Sequence, residues 1–134
     1  LLALMQAMQK GGPDWQASIV AALYRLSLIE NDTQQVSYEQ WVKANSEFHI
    51  ALIAGCNSPN LMEIRKRLYL KFDRYCRIAF LLTQNTLEAN HEEHVKLAQA
   101  VLQKDWQTAE RLMVYHINGA LENVIEKMKQ NNII

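Results

Sequence analysis

Apolar residues recur every three or four positions along almost the whole chain, and only short polar, glycine- or proline-bearing stretches interrupt that rhythm. Residues 1–10 read as a helix stopped by Gly11-Gly12. Pro13 suits the first turn of a second helix, which repeats Ile19, Ala22, Leu23, Leu26, Leu28 and Ile29 from Asp14 to about Glu30. Asn31-Asp32-Thr33 is turn-like, and Ser37 is placed to cap a third helix running to about Cys56, with Trp41, Phe48, Leu52 and Ile53 apolar. Asn57-Ser58-Pro59 breaks the chain again. From Asn60 a long fourth helix carries Leu61, Ile64, Leu68, Phe72, Tyr75, Ala79 and Leu82. Thr86 can cap a fifth helix to about Lys104, with Leu87, Leu97, Ala98 and Val101 inward. Asp105 caps a sixth, whose apolar stripe is Ala109, Leu112, Met113, Ile117, Ala120, Leu121, Val124 and Met128. Strand-like alternation, internal repeats and low-complexity stretches are missing. The pattern predicts an all-α antiparallel bundle of about six helices, folded as one domain over residues 1–134.

Composition narrows what such a bundle does. Fourteen basic and fourteen acidic side chains cancel, which argues against nucleic-acid binding by this segment, because a DNA-binding surface needs excess positive charge to displace counterions. Cys56 and Cys76 are far apart and form no C-x-x-C, so they read as small core residues in a reducing, cytoplasmic setting. No apolar run approaches the roughly 20 residues that span a bilayer. The chain opens in helical rhythm without an initiator Met, and we expect a fragment that starts inside a truncated helix, with sequence upstream.

Three histidines change the picture. His49, His94 and His116 each sit in the apolar stripe of a different helix, on the side that helix should bury. Buried imidazoles need partners for their ring nitrogens. Either each is separately hydrogen-bonded in the core, or the three converge on one point and make a metal site. Asn45 lies one turn before His49 and faces the same way, offering a fourth donor. His91 forms His-Glu-Glu-His with His94, one residue short of the zinc-protease H-E-x-x-H, so the two rings leave the helix in different directions. Glu88-x-x-His91 resembles half of a di-iron motif whose second half does not occur. His91 is expected at the rim of the site or in solvent.

The segment from Glu47-Phe48-His49 through Ala51-Leu52 to Asn57-Ser58-Pro59-Asn60-Leu61 resembles a signature of the FCD domain, the C-terminal effector-sensing half of FadR-type regulators in the GntR superfamily. Glu93-His94 with Leu97, Ala98, Ala100, Val101 and Lys104-Asp105 resembles a second segment of that family. Ala109 with Leu112-Met113 and His116-Ile117 resembles a third. The resemblance implies a metal held by an Asp and three His, carried here by His49, His94 and His116, with Asn45 at the Asp position. An amide oxygen can bind a metal but brings no charge, so affinity should fall and a bound anion gains importance. The ion expected is a divalent transition metal, zinc or nickel.

The resemblance further implies a sensor rather than an enzyme: an upstream winged helix-turn-helix that contacts operator DNA, a small carboxylate effector bound beside the metal, and a homodimer. For the carboxylate, the fourth helix offers Arg65, Arg67, Arg74 and Arg77. Arg74, flanked by Phe72 and Tyr75, is the first candidate for an inward clamp and Arg67 the second. Tyr69, Tyr75 and Asn118 are candidate polar walls. Two other functions stay open at this level: a metal-dependent hydrolase, for which Glu47 is the acidic neighbour nearest in sequence to His49, and a metal-free helical interaction module.

Overall fold

The computed structural model describes residues 1–32, 36–82 and 87–134, with side chains except those of residues 79–82 and 87–89. Its elements are α1 (Leu2–Lys10), α2 (Pro13–Glu30), α3 (Tyr38–Ala54), α4 (Pro59–Leu82), α5 (Leu87–Leu102) and α6 (Trp106–Gln130), and the described residues contain no strand. The ends follow local chemistry. Pro13 occupies the first turn of α2 behind the extended Gly12. Ser37 and Gln40 close a capping box on α3: the Gln40 amide donates to the Ser37 hydroxyl at 3.2 Å, and the Ser37 amide donates to the Gln40 side chain at 3.1 Å. α4 starts one residue earlier than expected, at Pro59, because the Ser58 hydroxyl accepts from the Leu61 amide and Asn57 turns the chain at φ 53°. Asp105 caps α6 by accepting from the Thr108 amide. The expected turn at Thr33 and cap at Thr86, and the inward side chains expected for Ala79, Leu82 and Leu87, lie outside the described residues.

Hydrogen bonds between the helices give their sense. Trp15 reaches Ala51 and Glu30 reaches Trp41, so α2 and α3 run antiparallel. Gln16 reaches Leu102 while Glu30 meets His94, so α2 and α5 do too. α6 returns along α5 after a short turn through Lys104, whose φ is 55°. The main core joins Leu4, Ile19, Leu26, Phe48, Leu52, Leu97 and Val101 with their neighbours. A second, small core lies between α4 and α6, where Val124 and Met128 are buried against Phe72 and Cys76. At the same end, the Tyr38 hydroxyl donates to the Asp73 carboxylate, and the Arg77 guanidinium lies 4.7 Å from the Tyr38 ring centroid while pairing with Glu39 at 2.7 Å.

The stripes on α4 and α6 are only partly covered. Ile64 and Leu68 remain 55% and 63% exposed, and Ile117 and Leu121 remain 51% and 46% exposed. Helical periodicity groups these residues on faces, but no part of the described chain covers them.

Gly11 ends α1 for a different reason than conformational freedom. Its backbone is ordinary extended chain, with φ −69° and ψ 134°. What it supplies is space: a Cβ there would lie 2.1 Å from the Trp15 ring and 2.7 Å from the Ala7 carbonyl oxygen. The ring cannot yield, since its Nε1–H donates to the Ala51 carbonyl at 2.9 Å. Gly11→Ala should therefore destabilise the fold by about 1–3 kcal/mol through overpacking. Gly119→Ala, in the middle of α6 with open space around it, should stabilise by about 0.5–1 kcal/mol. Urea unfolding of the two variants checks both signs.

Candidate metal centre

Phe48 anchors the site from below. It is fully buried, and its ring meets His49 and His94 edge-on, with centroids 5.4 and 5.2 Å apart. Around it α3, α5 and α6 bring three imidazoles together. His49 and His116 stack at 5.1 Å, and His94 stands edge-on to both at 5.4 and 4.8 Å. One ring nitrogen from each histidine lies within 4.8 Å of the others. The Nε2 atoms of His49 and His116 are 3.3 Å apart. Two nitrogens at about 2.0–2.1 Å from one tetrahedral zinc stand about 3.3 Å apart, so this spacing suits a shared ion.

The outward nitrogens of His94 and His116 are held by carboxylates. His94 Nδ1 lies 2.9 Å from Glu30 Oε1, with both side chains fully buried, and His116 Nδ1 lies 2.6 Å from Glu93 Oε2. A carboxylate accepts only, so each imidazole presents its Nδ1–H to it and keeps the Nε2 lone pair for the centre. Four buried atoms lack a hydrogen-bond partner among the described residues, Glu30 Oε2, His91 Nδ1, His94 Nε2 and Asn45 Oδ1, and the last two belong to candidate donors. Leaving such an acceptor unsatisfied costs about 1–3 kcal/mol. Both are Lewis bases, and Asn45 lies one turn before His49 on α3. The three imidazole nitrogens suit a divalent transition ion, and the amide oxygen of Asn45 is a donor of the right chemistry to join them.

Electrostatics point the same way. Burial, reinforced by the neighbouring His94, His116 and Arg65, holds His49 well below the usual histidine range. Burial and then His94 lower His116, against the pull of Glu93. These rings are therefore neutral at pH 7, the form that binds metal.

Other residues singled out in the sequence are placed elsewhere. His91 is at the rim: its Nδ1 is 3.5 Å from Glu30 Oε2, and neither atom makes a hydrogen bond among the described residues. Glu47 faces Arg25 at 3.7 Å on the exposed side of α3. Arg67, Arg74, Tyr75 and Asn118 are exposed, and Arg67 pairs with Glu63 at 2.9 Å. Arg65 is the α4 arginine whose charge reaches His49, and its guanidinium sits 4.5 Å from the Tyr69 ring centroid. At about 100° per residue, Arg67 and Arg74 fall roughly 200° and 180° around α4 from Arg65, on the opposite face. Neighbouring aromatics favoured Arg74 in the sequence, but Tyr75 is itself outward. Glu30 was readable only as a helix end. Its signal was an acid at a C-terminal turn, where the helix dipole disfavours negative charge.

The chain also matches known proteins. A family model described as the FCD domain matches residues 1–119. The chain belongs to the FCD family. This FCD domain is similar to the "uncharacterized HTH-type transcriptional regulator BphR" of Paraburkholderia xenovorans (strain LB400), with 32% identity over 91% of the chain and 51% of that protein. It is equally similar to the "HTH-type transcriptional repressor GlaR" of Escherichia coli (strain K12), with 32% identity over 93% of the chain and 59% of that protein. The chain thus spans little more than half the length of these relatives. No solved structure matches it significantly. FCD domains are parts of GntR-type transcriptional regulators and not enzymes. No described helix is long and apolar enough to cross a membrane.

The lowered histidines give a pH dependence. Below the unfolded value of about 6.5 the unfolded chain takes up protons that folded His49 and His116 refuse, so stability falls as pH falls through that value. The fall stops once pH drops below the folded values. Each histidine contributes up to about 1.4 kcal/mol per pH unit inside that window. In metal-free protein between pH 6.5 and 5, His49→Gln should flatten the slope of unfolding free energy against pH relative to wild type; an unchanged slope contradicts the assignment.

Proposed function

We propose that this FCD domain is the effector-sensing part of a GntR-family transcriptional regulator. In this reading Asn45, His49, His94 and His116 hold a divalent transition metal, zinc or nickel, and a small carboxylate metabolite binds beside it. The observation that carries the reading is the convergence of three imidazoles from three helices, with the buried, unpartnered oxygen of Asn45 one turn away from His49. A separately satisfied core histidine does not need a second imidazole nitrogen 3.3 Å away.

A divalent ion in this donor set offers an open coordination position to a carboxylate oxygen. Because imidazole and amide donors bring no negative charge, none of them neutralises the ion, which favours an anionic ligand. Arg65 and Tyr69 on α4 supply the second contact, a guanidinium beside a phenol on the inner face of the helix. Arg65 therefore replaces Arg74 and Arg67 as the first clamp residue in this reading, and Tyr75 and Asn118 serve at an outer rim. An effector shifts the domain between arrangements only by its differential affinity for them. That shift would pass to an upstream winged helix-turn-helix on operator DNA in a cytoplasmic homodimer. The exposed Ile64, Leu68, Ile117 and Leu121 give such a dimer apolar surface to cover.

The first test is metal content and thermal stability of the chain as purified, after chelation, and after adding back zinc or nickel. Wild type should lose and regain stability with the ion, and His94→Ala should neither hold metal nor respond. An ion at 100 times its dissociation constant adds about 2.7 kcal/mol. Absence of bound metal and of any response in wild type contradicts the reading.

The second test screens small carboxylates against the metal-loaded protein. Those that stabilise wild type should lose most of that effect with Arg65→Gln and keep it with Arg74→Gln. The reverse pattern would return the clamp to Arg74.

A further inference from the structure

We propose that Glu30 is the positioning residue of the metal centre: it holds His94 with its proton on Nδ1, turns Nε2 toward the ion, and supplies the negative charge that Asn45 lacks. The inference rests on the metal reading above and extends it beyond the donor set.

Glu30 is placed where a carboxylate is least expected. It is the last residue of α2, at the end of the helix where the backbone carbonyls already concentrate negative potential. Its side chain is fully buried. The ion-pair partners it has among the described residues are histidines, His94 and the more distant His91, and not a lysine or arginine. A carboxylate serving only to tie helices together would gain more from a permanent cation. Instead Oε1 receives both the Trp41 Nε1–H at 3.2 Å and the His94 ring at 2.9 Å. Trp41 fixes the carboxylate and the carboxylate fixes the imidazole.

The ring then has a single useful orientation. Nδ1 and Nε2 lie on opposite flanks of the imidazole, so pinning one directs the other. His94 Nε2 is buried without a hydrogen-bond partner, among the nitrogens of His49 and His116. Hydrogen bonding to a carboxylate also raises the basicity of a metal-binding imidazole, which is how a charge outside the donor set reaches the ion. Glu93 stands in the same relation to His116, but its side chain is 31% exposed against 0% for Glu30. Solvent screens Glu93. The buried Glu30 acts at lower effective dielectric and carries more of the effect.

The test uses the 134-residue chain with Co(II) as probe and three readouts: affinity, the metal-free thermal midpoint, and the His94 tautomer from long-range proton–nitrogen NMR. Wild type should show His94 protonated on Nδ1 without metal. Glu30→Leu, similar in size and unable to accept, should release that tautomer and weaken Co(II) binding about 10–100-fold, the usual cost of losing an outer hydrogen-bond partner. Glu30→Gln keeps a carbonyl acceptor and loses the charge, so it should retain the tautomer and weaken binding by less. Adding Asn45→Asp to Glu30→Gln places a charge directly on the ion and should recover affinity. A merely structural Glu30 would lower the thermal midpoint while leaving Co(II) affinity of the folded protein unchanged. His94 protonated on Nε2 in wild type, or a folded Glu30→Gln that binds Co(II) as tightly as wild type, overturns the proposal even if Glu30→Leu does not fold. Wild type that binds neither Co(II) nor zinc overturns the metal reading and this inference with it.

Discussion

Imidazoles in an apolar interior oblige the protein to account for two nitrogens per ring, and that obligation organises this bundle. Each ring needs a donor or acceptor on one flank and something basic or electrophilic on the other. Glu30 answers for His94 and Glu93 for His116, so residues on α2 and α5 are committed by the presence of histidines on α5 and α6. Trp41 is committed in turn, since its indole N–H shares the oxygen that receives His94. One nitrogen of each of the three rings faces the other two. A bundle with Leu at these three positions would need none of these partners and would pack with less constraint on its neighbours.

Most of the fold was legible because the signals that end helices are local. Pro13, Ser37, Ser58-Pro59 and Asp105 act through their own backbone or the next turn, and each lies at a real boundary. The histidines were legible as a set because polar rings inside three apolar stripes violate the pattern around them. Gly11 was correctly read as a stop, but its cause was not visible, since the ring that needs its space becomes a neighbour only after α1 and α2 fold back.

Two parts of the site were not legible, for different reasons. Periodicity assigns residues to faces of a helix without saying which face is covered: of the α4 stripe read from the sequence, Leu61 and Phe72 do pack inward, but Ile64, Leu68 and Tyr75 are exposed. Beside Leu61 and Phe72 the packed face takes in Arg65, Tyr69 and Cys76. That difference moves the inward arginine from Arg74 to Arg65. Glu30 escaped notice because an acid followed by Asn31-Asp32 looks like the start of a polar turn, and its burial depends on helices more than sixty residues later. Cys76 illustrates the opposite case. Its thiol, pushed up to about 12 by burial and then Asp73, is inert, in keeping with the small packing role its isolation in the sequence suggested.

The two cores are unequal, and the histidines lie on the seam between them. Along α6, His116 falls between Met113 of the large core and Val124 of the small one; along α4, Arg65 and Tyr69 fall between Leu61 and Phe72 in the same way. Among the described residues, the small core joins the outer parts of α4 and α6 to each other, and Tyr38–Asp73 with Glu39–Arg77 ties α4 to α3. Val124 and Met128 are the buried members of that small core among the described residues, worth roughly 1.5–3 kcal/mol each. The architecture therefore sets His116 and Arg65 between a large core and a small one, on the two longest of the described helices.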